Sequence, residues 1–367
     1  MTIGIGLLGC GTVGANVADR LQRERHEIER RSGARYELRA IAIRDPHKER
    51  PGSLDRQLFT RSARSVVDDP HVDLVVELIG GTDDAAGLVE RALQRGRHVV
   101  TANKDLLGTQ GPRLRALAAS RGAALRFEAA VGGAIPILRT LDEALAGDDV
   151  VAVTGVLNGT CTSILSAMER GAEFGDALAT AQRLGYAESD PANDLDGTDA
   201  AHKLAIIAQV AFGFAVISPR IRRSGITGVT RRDVARAQML GFRIRLVAAA
   251  RKSDSGMLAE VAPVLIPRDD DLARTADAEN AIAVVARDAE HILLRGPGAG
   301  GPATASAVLG DVVDVLRGGC RPRDASLAPA LEIRPWFEHL ERIPELSAYP
   351  IWDGAAASDP QRALAHA

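Results

Sequence analysis

The segment Ile3–Gly14 reads IGIGLLGCGTVG and decides the fold class of the chain. Its apolar first half predicts a short buried strand, and its second half spaces three glycines as Gly9-x-Gly11-x-x-Gly14. In a dinucleotide-binding turn, the first glycine makes the tight bend, the second lets the backbone approach the pyrophosphate, and the third lets the next helix pack against the strand. The phosphates then lie at the helix N-terminus. The segment therefore predicts a nucleotide site, and a glycine turn that binds nothing is the alternative.

Strand and helix patterns alternate through the first 130 residues. Helical patterns, such as those over Ala85–Gln94 and Gly111–Arg121, separate apolar runs of strand length. This alternation predicts βαβ units, and thus an α/β fold with a Rossmann-type, doubly wound parallel sheet. The predicted strands of this sheet are Ile3–Leu8, Tyr36–Ile43, Leu74–Ile79, His98–Thr101 and Ala124–Glu128.

The pattern changes after Pro136. A strand over Val150–Leu157 precedes several helices, and two later strands, Arg243–Ala250 and Leu258–Ile266, suit antiparallel pairing. These features predict a second α/β domain. The predicted division is a dinucleotide-binding domain at 1–135, the second domain at 136–302, a helix returning to the first domain at 303–335, and a C-terminal tail at 336–367 that is loose over 355–367.

The composition excludes several classes of protein. With 45 Lys and Arg against 48 Asp and Glu in 367 residues, the net charge is −3, which gives no electrostatic basis for binding nucleic acid or an anionic membrane. The longest apolar stretch, Leu204–Ile217, is too short to cross a bilayer, and the N-terminus lacks the basic region of a signal peptide. Three widely separated cysteines, Cys10, Cys161 and Cys320, argue against disulfides and zinc clusters and favour the cytoplasm.

Lysine is rare in this chain. Only Lys48, Lys104, Lys203 and Lys252 accompany 41 arginines, and the codon bias of a GC-rich genome accounts for the imbalance. Arginine does not give up its proton in proteins, whereas lysine in a suitable site can act as an acid or base. Each surviving lysine is therefore a candidate for a position where arginine cannot serve.

Asp199 and Lys203 stand four residues apart at the start of a predicted helix, so they share one face and can form a hydrogen bond. A surface ion pair is the alternative, but the helix continues as an apolar run. The preceding loop carries four acids in nine residues, which repel one another unless a cation neutralises them. The ammonium group of an amino-acid substrate is such a cation. These acids are Glu188, Asp190, Asp194 and Asp196. A calcium loop is excluded because Ala192 and Lys203 would occupy ligand positions.

The choice of nicotinamide cofactor depends on the end of the second strand, Ile43-Arg44-Asp45. An acid there accepts a hydrogen bond from the ribose 2′-hydroxyl of NAD, whereas an arginine pairs with the 2′-phosphate of NADP. Arg44 directly follows the strand, and Lys48 and Arg50 come soon after it. The sequence favours NADP over NAD, and use of both stays open.

The stretch Ala181–Lys203, AQRLGYAESDPANDLDGTDAAHK, resembles the signature of the homoserine dehydrogenase family. Other segments with a family-like sequence extend the resemblance over roughly residues 3–317. These segments are Gly9–Gly14, Thr101–Lys104, Glu128–Pro136, Asn158–Thr160 and Gly296–Gly300. Cys161-Thr162-Ser163 departs from the residues expected there, which leaves the fine contacts of the pocket open.

The resemblance implies the interconversion of L-homoserine and L-aspartate 4-semialdehyde, in threonine and methionine biosynthesis. Lys203 would donate the proton to the aldehyde oxygen, with Asp199 orienting it, and Lys104 would contact cofactor and substrate. Glu188 would hold the substrate ammonium, with Thr160 and Asp194 bordering the same pocket. Solvated lysines are the alternative for Lys104 and Lys203.

The resemblance also implies two sets of binding residues. Cofactor contacts are expected at Gly9, Gly11, Thr12, Val13, Gly14, Arg44, Gly80, Asn103, Lys104, Gly185 and Gly300, the last of which is otherwise a purely structural turn. A monovalent cation, sodium, is expected at Glu128, Val131, Gly133 and Ile135. The alternative is that Glu128 caps a turn between the domains.

Family resemblance further implies that the second domain, 136–302, binds the substrate and forms a homodimer through its sheet. The residues after Gly318 lack the pattern of a regulatory domain, so we expect the monofunctional form without threonine feedback through such a domain.

Two other functions stay open. A related dehydrogenase would act on another amino-acid aldehyde, and a non-catalytic NAD(P)-binding sensor would have a broken proton-donor pair, whereas Asp199 and Lys203 are both present.

Overall fold

The computed structural model describes residues 2–50, 53–318, 327–329, 332–342, 344–346 and 348–352. Cys320 and the predicted loose end of the tail, 355–367, lie outside these residues. The chain divides into two compact units. The first comprises residues 1–134 and 299–327, and the second comprises residues 135–298 and 328–367.

Both units contain strands and helices. The strands are β1 Thr2–Leu8, β2 Arg35–Ala42, β3 Phe59–Thr60, β4 Leu74–Glu77, β5 His98–Thr101, β6 Leu125–Arg126, β7 Val150–Val156, β8 Arg222–Arg223, β9 Phe242–Ser253, β10 Gly256–Pro267, β11 Glu279–Ala286, β12 Glu290–Pro297 and β13 Glu332–Arg334. The helices are α1 Thr12–Arg23, α2 Arg25–Ser32, α3 Ala63–Asp68, α4 Asp83–Gln94, α5 Lys104–Ser120, α6 Ile137–Arg139, α7 Gly159–Glu169, α8 Phe174–Arg183, α9 Ala192–Leu195, α10 Thr198–Phe212, α11 Arg231–Met239 and α12 Gly301–Leu316.

The first unit contains a parallel sheet whose order, among the described residues, is β3-β2-β1-β4-β5-β6. The doubly wound α/β sheet predicted from the sequence is confirmed. Because β1 pairs with both β2 and β4, the strand order reverses beside it, and ligands bind outside the carboxyl ends of the strands at such a switch point. The last strand is shorter than predicted. The backbone leaves the sheet after Arg126 and forms a 3₁₀ turn over Glu128–Ala130, where the N–H of Glu128 donates to Asp311.

The helix α12 is part of the core of the first unit. Its apolar face, which includes Val308 and Val312, lies in one buried cluster with Val17 and Leu21 of α1. Apolar residues three and four positions apart give both helices a continuous stripe to bury.

The second unit contains a mixed sheet whose order, among the described residues, is β12-β11-β7-β9-β10-β13, with β8 beside β10. The predicted antiparallel pairing of β9 with β10 is confirmed. Helix α10 packs against β7 and β9, and α7 packs against β9 and β11. Trp336, Phe337 and Trp352 of the C-terminal segment pack against one face of this sheet, so β7, β9, β10 and β11 are buried almost throughout.

None of the helices in the described ranges combines the length and apolar character that a membrane crossing requires. The longest apolar stretch of the sequence instead contributes to α10, which is buried among the other elements of the second unit. Gly197 precedes this helix and Gly213 follows it, both in the left-handed conformation, with φ of 85° and 70°. Glycine adopts this conformation without steric cost, so both ends of α10 are sharply defined.

Candidate functional site

The first turn of α10 carries a buried ion pair. The ammonium of Lys203 donates to Asp199 Oδ2 at 2.8 Å and to the carbonyl oxygen of Leu157 at 2.7 Å. The predicted hydrogen bond between Asp199 and Lys203 is thereby confirmed. The side chains are 3% and 10% exposed, which excludes the alternative of a solvated surface pair. A lysine ammonium has three N–H groups, so one is left after the two hydrogen bonds made within the described residues.

Asn158 connects this pair to the acidic loop. Its Nδ2 donates to Asp199 Oδ2 and to Asp194 Oδ1, both at 2.7 Å, while its Oδ1 caps α7 by accepting from the N–H of Cys161 at 2.8 Å. Thr160 Oγ1 lies 3.2 Å from Asp194 Oδ2 and donates to a backbone carbonyl at 2.6 Å. The structure thus brings Thr160, Asp194, Asp199 and Lys203 together around an asparagine.

The other acids of the loop differ in their surroundings. Asp190 accepts from the N–H of Ala192, and Asp196 accepts from the N–H and hydroxyl of Thr198. These two carboxylates therefore stabilise the backbone on either side of α9. Glu188 is exposed and forms no ion pair with any residue that the structure describes. Its carboxylate is accessible to a cationic ligand.

In the first unit, the three glycines of the β1–α1 turn have the geometry that their spacing predicts. Gly9 has φ of 95°, and a Cβ there would lie 2.6 Å from the carbonyl oxygen of Leu78. A Cβ on Gly14 would overlap the carbonyl of Gly9, whereas one on Gly11 would meet nothing within 4 Å. Helix α1 begins at Thr12 without a side-chain cap or an acidic residue in its first turn. The first backbone N–H groups of α1, from Thr12 and Val13 onward, therefore suit an anion.

A cavity of about 800 Å³ lies beside this turn. Four basic residues line it, and none of them forms an ion pair within the described residues. Arg50 donates only to backbone carbonyls, including those of Cys10 at 3.2 Å and Asp45 at 2.8 Å, so its charge is not neutralised there. The carboxylate of Asp45 accepts from the N–H of His47. The four basic residues are Arg44, Lys48, Arg50 and Arg61.

The loop after β4, which also lines the cavity, is held by Glu77. This buried carboxylate accepts from the N–H groups of Ile79 at 2.7 Å and Gly80 at 3.1 Å, and from the Thr101 hydroxyl at 2.6 Å. Asn103 Nδ2 donates to the carbonyl oxygen of Gly81 at 2.6 Å, and its Oδ1 caps α5. Glu77 was not predicted as a site residue, although an acid ending the apolar strand LVVE is the signal that could have indicated it.

The remaining predicted cofactor contacts lie on different elements of the two units. Lys104 is the first residue of α5 in the first unit, and Gly185 lies in an exposed turn after α8 in the second. Gly300 has φ of 112°, and a Cβ there would enter open space at the start of α12. A Cβ on the next residue, Gly301, would lie 2.9 Å from Thr12 Cγ2, so α12 starts against the phosphate-binding end of α1.

The predicted sodium ligands lie on a tight turn that ends the first unit. Glu128 is buried, and Gly132 and Gly133 follow with φ of 68° and 58°. In the described residues, no group of three or more His, Cys, Asp or Glu side chains could hold a metal ion. A cation at this turn would therefore rely on one carboxylate and on backbone carbonyls, among them that of Val131. Ile135 belongs to the second unit.

Family models match both units. The model described as homoserine dehydrogenase matches residues 136–313, and the one described as the NAD binding domain of homoserine dehydrogenase matches residues 9–128. The homoserine dehydrogenase of Pseudomonas aeruginosa is 41% identical over 314 residues, which is 85% of this chain and 72% of that relative.

The chain belongs to the homoserine dehydrogenase family.

Solved homoserine dehydrogenases have the same fold. The crystal structure from Thiobacillus denitrificans matches with a TM-score of 0.86 at 41% identity, covering 91% of this chain and 80% of that one. A hyperthermophilic archaeal homoserine dehydrogenase in complex with NADPH matches with a TM-score of 0.71 at 26% identity, covering 86% and 97%. The predicted family, the oxidoreductase class and the NAD(P)-binding domain are confirmed, and neither alternative function is favoured.

Proposed function

We propose that the chain catalyses the reversible, NAD(P)-dependent interconversion of L-homoserine and L-aspartate 4-semialdehyde. The observation that carries this proposal is the buried Asp199–Lys203 pair, in which one ammonium N–H is left for a substrate oxygen. The bound nicotinamide would supply the hydride acceptor or donor at its C4, so the protein needs to orient the substrate and move one proton.

Lys203 would donate that proton to the aldehyde oxygen during reduction and accept it from the hydroxyl during oxidation. Asp199 and the Leu157 carbonyl hold the ammonium in place, because each accepts one of its hydrogens. A guanidinium in this position would keep its proton. Burial also excludes water from competing for the ammonium.

The substrate ammonium group would bind to the carboxylates of the acidic loop. Asp194 is half-buried and fixed by Asn158 and Thr160, and Glu188 is exposed nearby in the sequence. We propose that Glu188 holds the ammonium and that Asp194 and Thr160 border the pocket. This arrangement would favour amino-acid substrates over simple aldehydes and alcohols.

The first unit would hold the dinucleotide. The open space at Gly11 and the uncapped start of α1 fit a pyrophosphate, with Thr12, Val13, Gly80, Asn103, Lys104, Gly185 and Gly300 as further proposed contacts. We propose that NADP is preferred over NAD. Four basic residues without an acidic partner in the described residues, Arg44, Lys48, Arg50 and Arg61, support this preference because a 2′-phosphate would supply the missing negative charge.

The domain division, the cation and the oligomer remain proposals. We propose that residues 1–135 and the returning helix bind the nucleotide, that 136–302 bind substrate and dimerise, and that 336–367 form the tail. The range predicted for the returning helix, 303–335, extends too far, because α12 ends at Leu316 and β13 pairs with β10 of the second unit. The turn at Glu128, Val131, Gly133 and Ile135 would hold sodium through one carboxylate and carbonyl oxygens. A homodimer would use β12, because this strand pairs on one side only, with β11, among the residues that the structure describes. Free buried thiols at Cys10 and Cys161 fit a cytoplasmic enzyme.

The test is steady-state oxidation of L-homoserine by the purified chain, followed by nicotinamide absorbance with NAD⁺ and NADP⁺ in separate assays. We expect turnover with both and a larger kcat/KM for NADP⁺. Measurable cofactor binding without turnover of L-homoserine would contradict the proposed reaction. It would favour a related amino-acid aldehyde as substrate, or a sensor.

A further inference from the structure

Asn158 contacts two of the carboxylates in the proposed site, those of Asp194 and Asp199. Its amide nitrogen lies 2.7 Å from Asp194 Oδ1 and 2.7 Å from Asp199 Oδ2. We infer that Asn158 is a positioning residue that couples the substrate-binding carboxylate of Asp194 to the proton-donor pair Asp199–Lys203. This inference rests on the proposed function and adds to it a residue that the resemblance did not single out.

The orientation of the amide is fixed by its other end. Asn158 Oδ1 accepts from the N–H of Cys161 at 2.8 Å, which caps α7. Flipping the amide would place its oxygen against the two carboxylates of Asp194 and Asp199 and its NH₂ group against an N–H donor. An amide has two hydrogens on its nitrogen, and here each points to a different carboxylate.

A hydrogen-bond donor suits this position because the surroundings are mostly acidic. The pKa of the Cys161 thiol is raised by burial and by the negative charges of three nearby acids, Asp194, Asp196 and Asp199. The positive charge of Lys203 opposes this effect. Lys203 donates to Asp199, not to Asp194. The Asn158 amide therefore stabilises both charged carboxylates without adding a charge.

The consequence is mechanical coupling between binding and proton transfer. Asp199 Oδ2 accepts from Asn158 Nδ2 and from Lys203 Nζ at 2.8 Å, so a shift of the amide moves the acceptor that orients the ammonium. A substrate in the pocket that Asp194 borders would shift this carboxylate and, through it, the same amide. Removing the amide should therefore lower kcat and raise the KM for L-homoserine together.

Two substitutions separate this role from helix capping. Serine and aspartate are both good N-cap residues, so N158S and N158D keep the cap of α7 while removing the amide donor. We expect kcat/KM for L-homoserine to fall about 10²-fold in N158S, as for the loss of hydrogen bonds to charged groups. The KM for NADP⁺ should change less than about twofold, because the glycine turn lies in the other unit.

The pH profile distinguishes a positioning amide from a merely structural one. In N158D, the new carboxylate faces Asp194 and Asp199, the two acids that the amide contacts in the wild type, and repels them at neutral pH. The other titratable groups nearby are Asp196, Lys203 and Cys161. When it is protonated at lower pH, it can donate one hydrogen bond again. We therefore expect the ratio of kcat/KM in N158D to that in N158S to rise as the pH falls.

Thr230→Ala is the matched control for a lost cap in the same unit, because Thr230 caps α11 through a capping box. We expect a lower Tm and an unchanged kcat/KM. A wild type that does not oxidise L-homoserine contradicts the proposed function before any variant is compared. An active wild type with N158S within threefold of it, or a pH-independent ratio of N158D to N158S, overturns the inference about Asn158.

Discussion

The side-chain amide of Asn280 and the ammonium of Lys203 donate to the same backbone oxygen, that of Leu157, at 3.1 and 2.7 Å. This carbonyl ends the buried stretch that includes β7, directly before Asn158. Because a backbone carbonyl does not titrate and this one directly follows β7, it gives the ammonium a constant anchor. Asp199 supplies the second, charged anchor. The direction of the remaining N–H is thereby defined.

Replacing Lys203 tests its role as proton donor. We expect Lys203→Ala to lower kcat about 10²- to 10⁴-fold, the usual contribution of a general acid–base group, and Lys203→Arg to recover little of it because arginine retains its proton. NADPH affinity, measured by fluorescence titration, should stay nearly unchanged. Lys252→Ala is the control, since Lys252 pairs with Asp149 at the surface and should alter kcat less than twofold. Equal loss of turnover and NADPH affinity would mean that Lys203 is structural.

Adding a methyl group at residue 298 tests the role of Asn280, the second side chain that donates to the carbonyl oxygen of Leu157. A Cβ on Gly298 would overlap the amide group of Asn280, which is fully buried. We expect Gly298→Ala to displace this amide, to lower the free energy of unfolding by about 1–3 kcal/mol as overpacking does, and to lower kcat about tenfold.

Gly175→Ala is the matched control for this substitution. A Cβ on Gly175 meets nothing within 4 Å, and the residue lies inside α8, where alanine stabilises a helix relative to glycine. A Gly298→Ala enzyme with wild-type kcat and Tm would show that Asn280 has no part in holding the carbonyl.

Local sequence patterns predicted those parts of the site that depend on neighbours along the chain. The glycine spacing predicted the β1–α1 turn, and the four-residue separation predicted the hydrogen bond between Asp199 and Lys203. Asn158 was not predicted as a site residue, because its partners Asp194 and Asp199 are 36 and 41 residues away. Arg61 was missed for the same reason. It lies 17 residues beyond Arg44, and only the folded first unit brings both residues to the same cavity.

The basic residues of the cavity should determine whether NADP⁺ or NAD⁺ is preferred. We expect Arg44→Ala to lower kcat/KM for NADP⁺ by about 10- to 100-fold, as for the loss of a charge-assisted hydrogen bond to phosphate. The kcat/KM for NAD⁺ should change little, because NAD⁺ has no 2′-phosphate. Arg64→Ala is the control, since this exposed arginine lies on α3 and its charge faces Asp68 at 3.7 Å. An equal loss with both cofactors would contradict a 2′-phosphate contact at Arg44.

The stability of the second unit should depend on the ionisation of Glu260. This buried carboxylate accepts from the N–H of Phe337 at 2.8 Å, at the start of the aromatic cluster formed by Trp336, Phe337 and Trp352. Burial raises its pKa, and the Phe337 N–H and the nearby Arg222 lower it by smaller amounts. Because the net shift is upward, the folded state binds a proton more tightly than the unfolded state does.

The sign of the pH dependence follows from this shift. The stability that Glu260 contributes is fully present below the unfolded pKa of about 4.5 and is lost as the pH rises through the folded pKa. Glu260→Gln keeps an acceptor for the Phe337 N–H and cannot ionise. The free energy of unfolding of the wild type, minus that of Glu260→Gln, should therefore decrease as the pH rises above about 4.5 in urea titrations. A difference that increases over this range would mean that the ion pair with Arg222, 3.5 Å away, outweighs the cost of burying the charge.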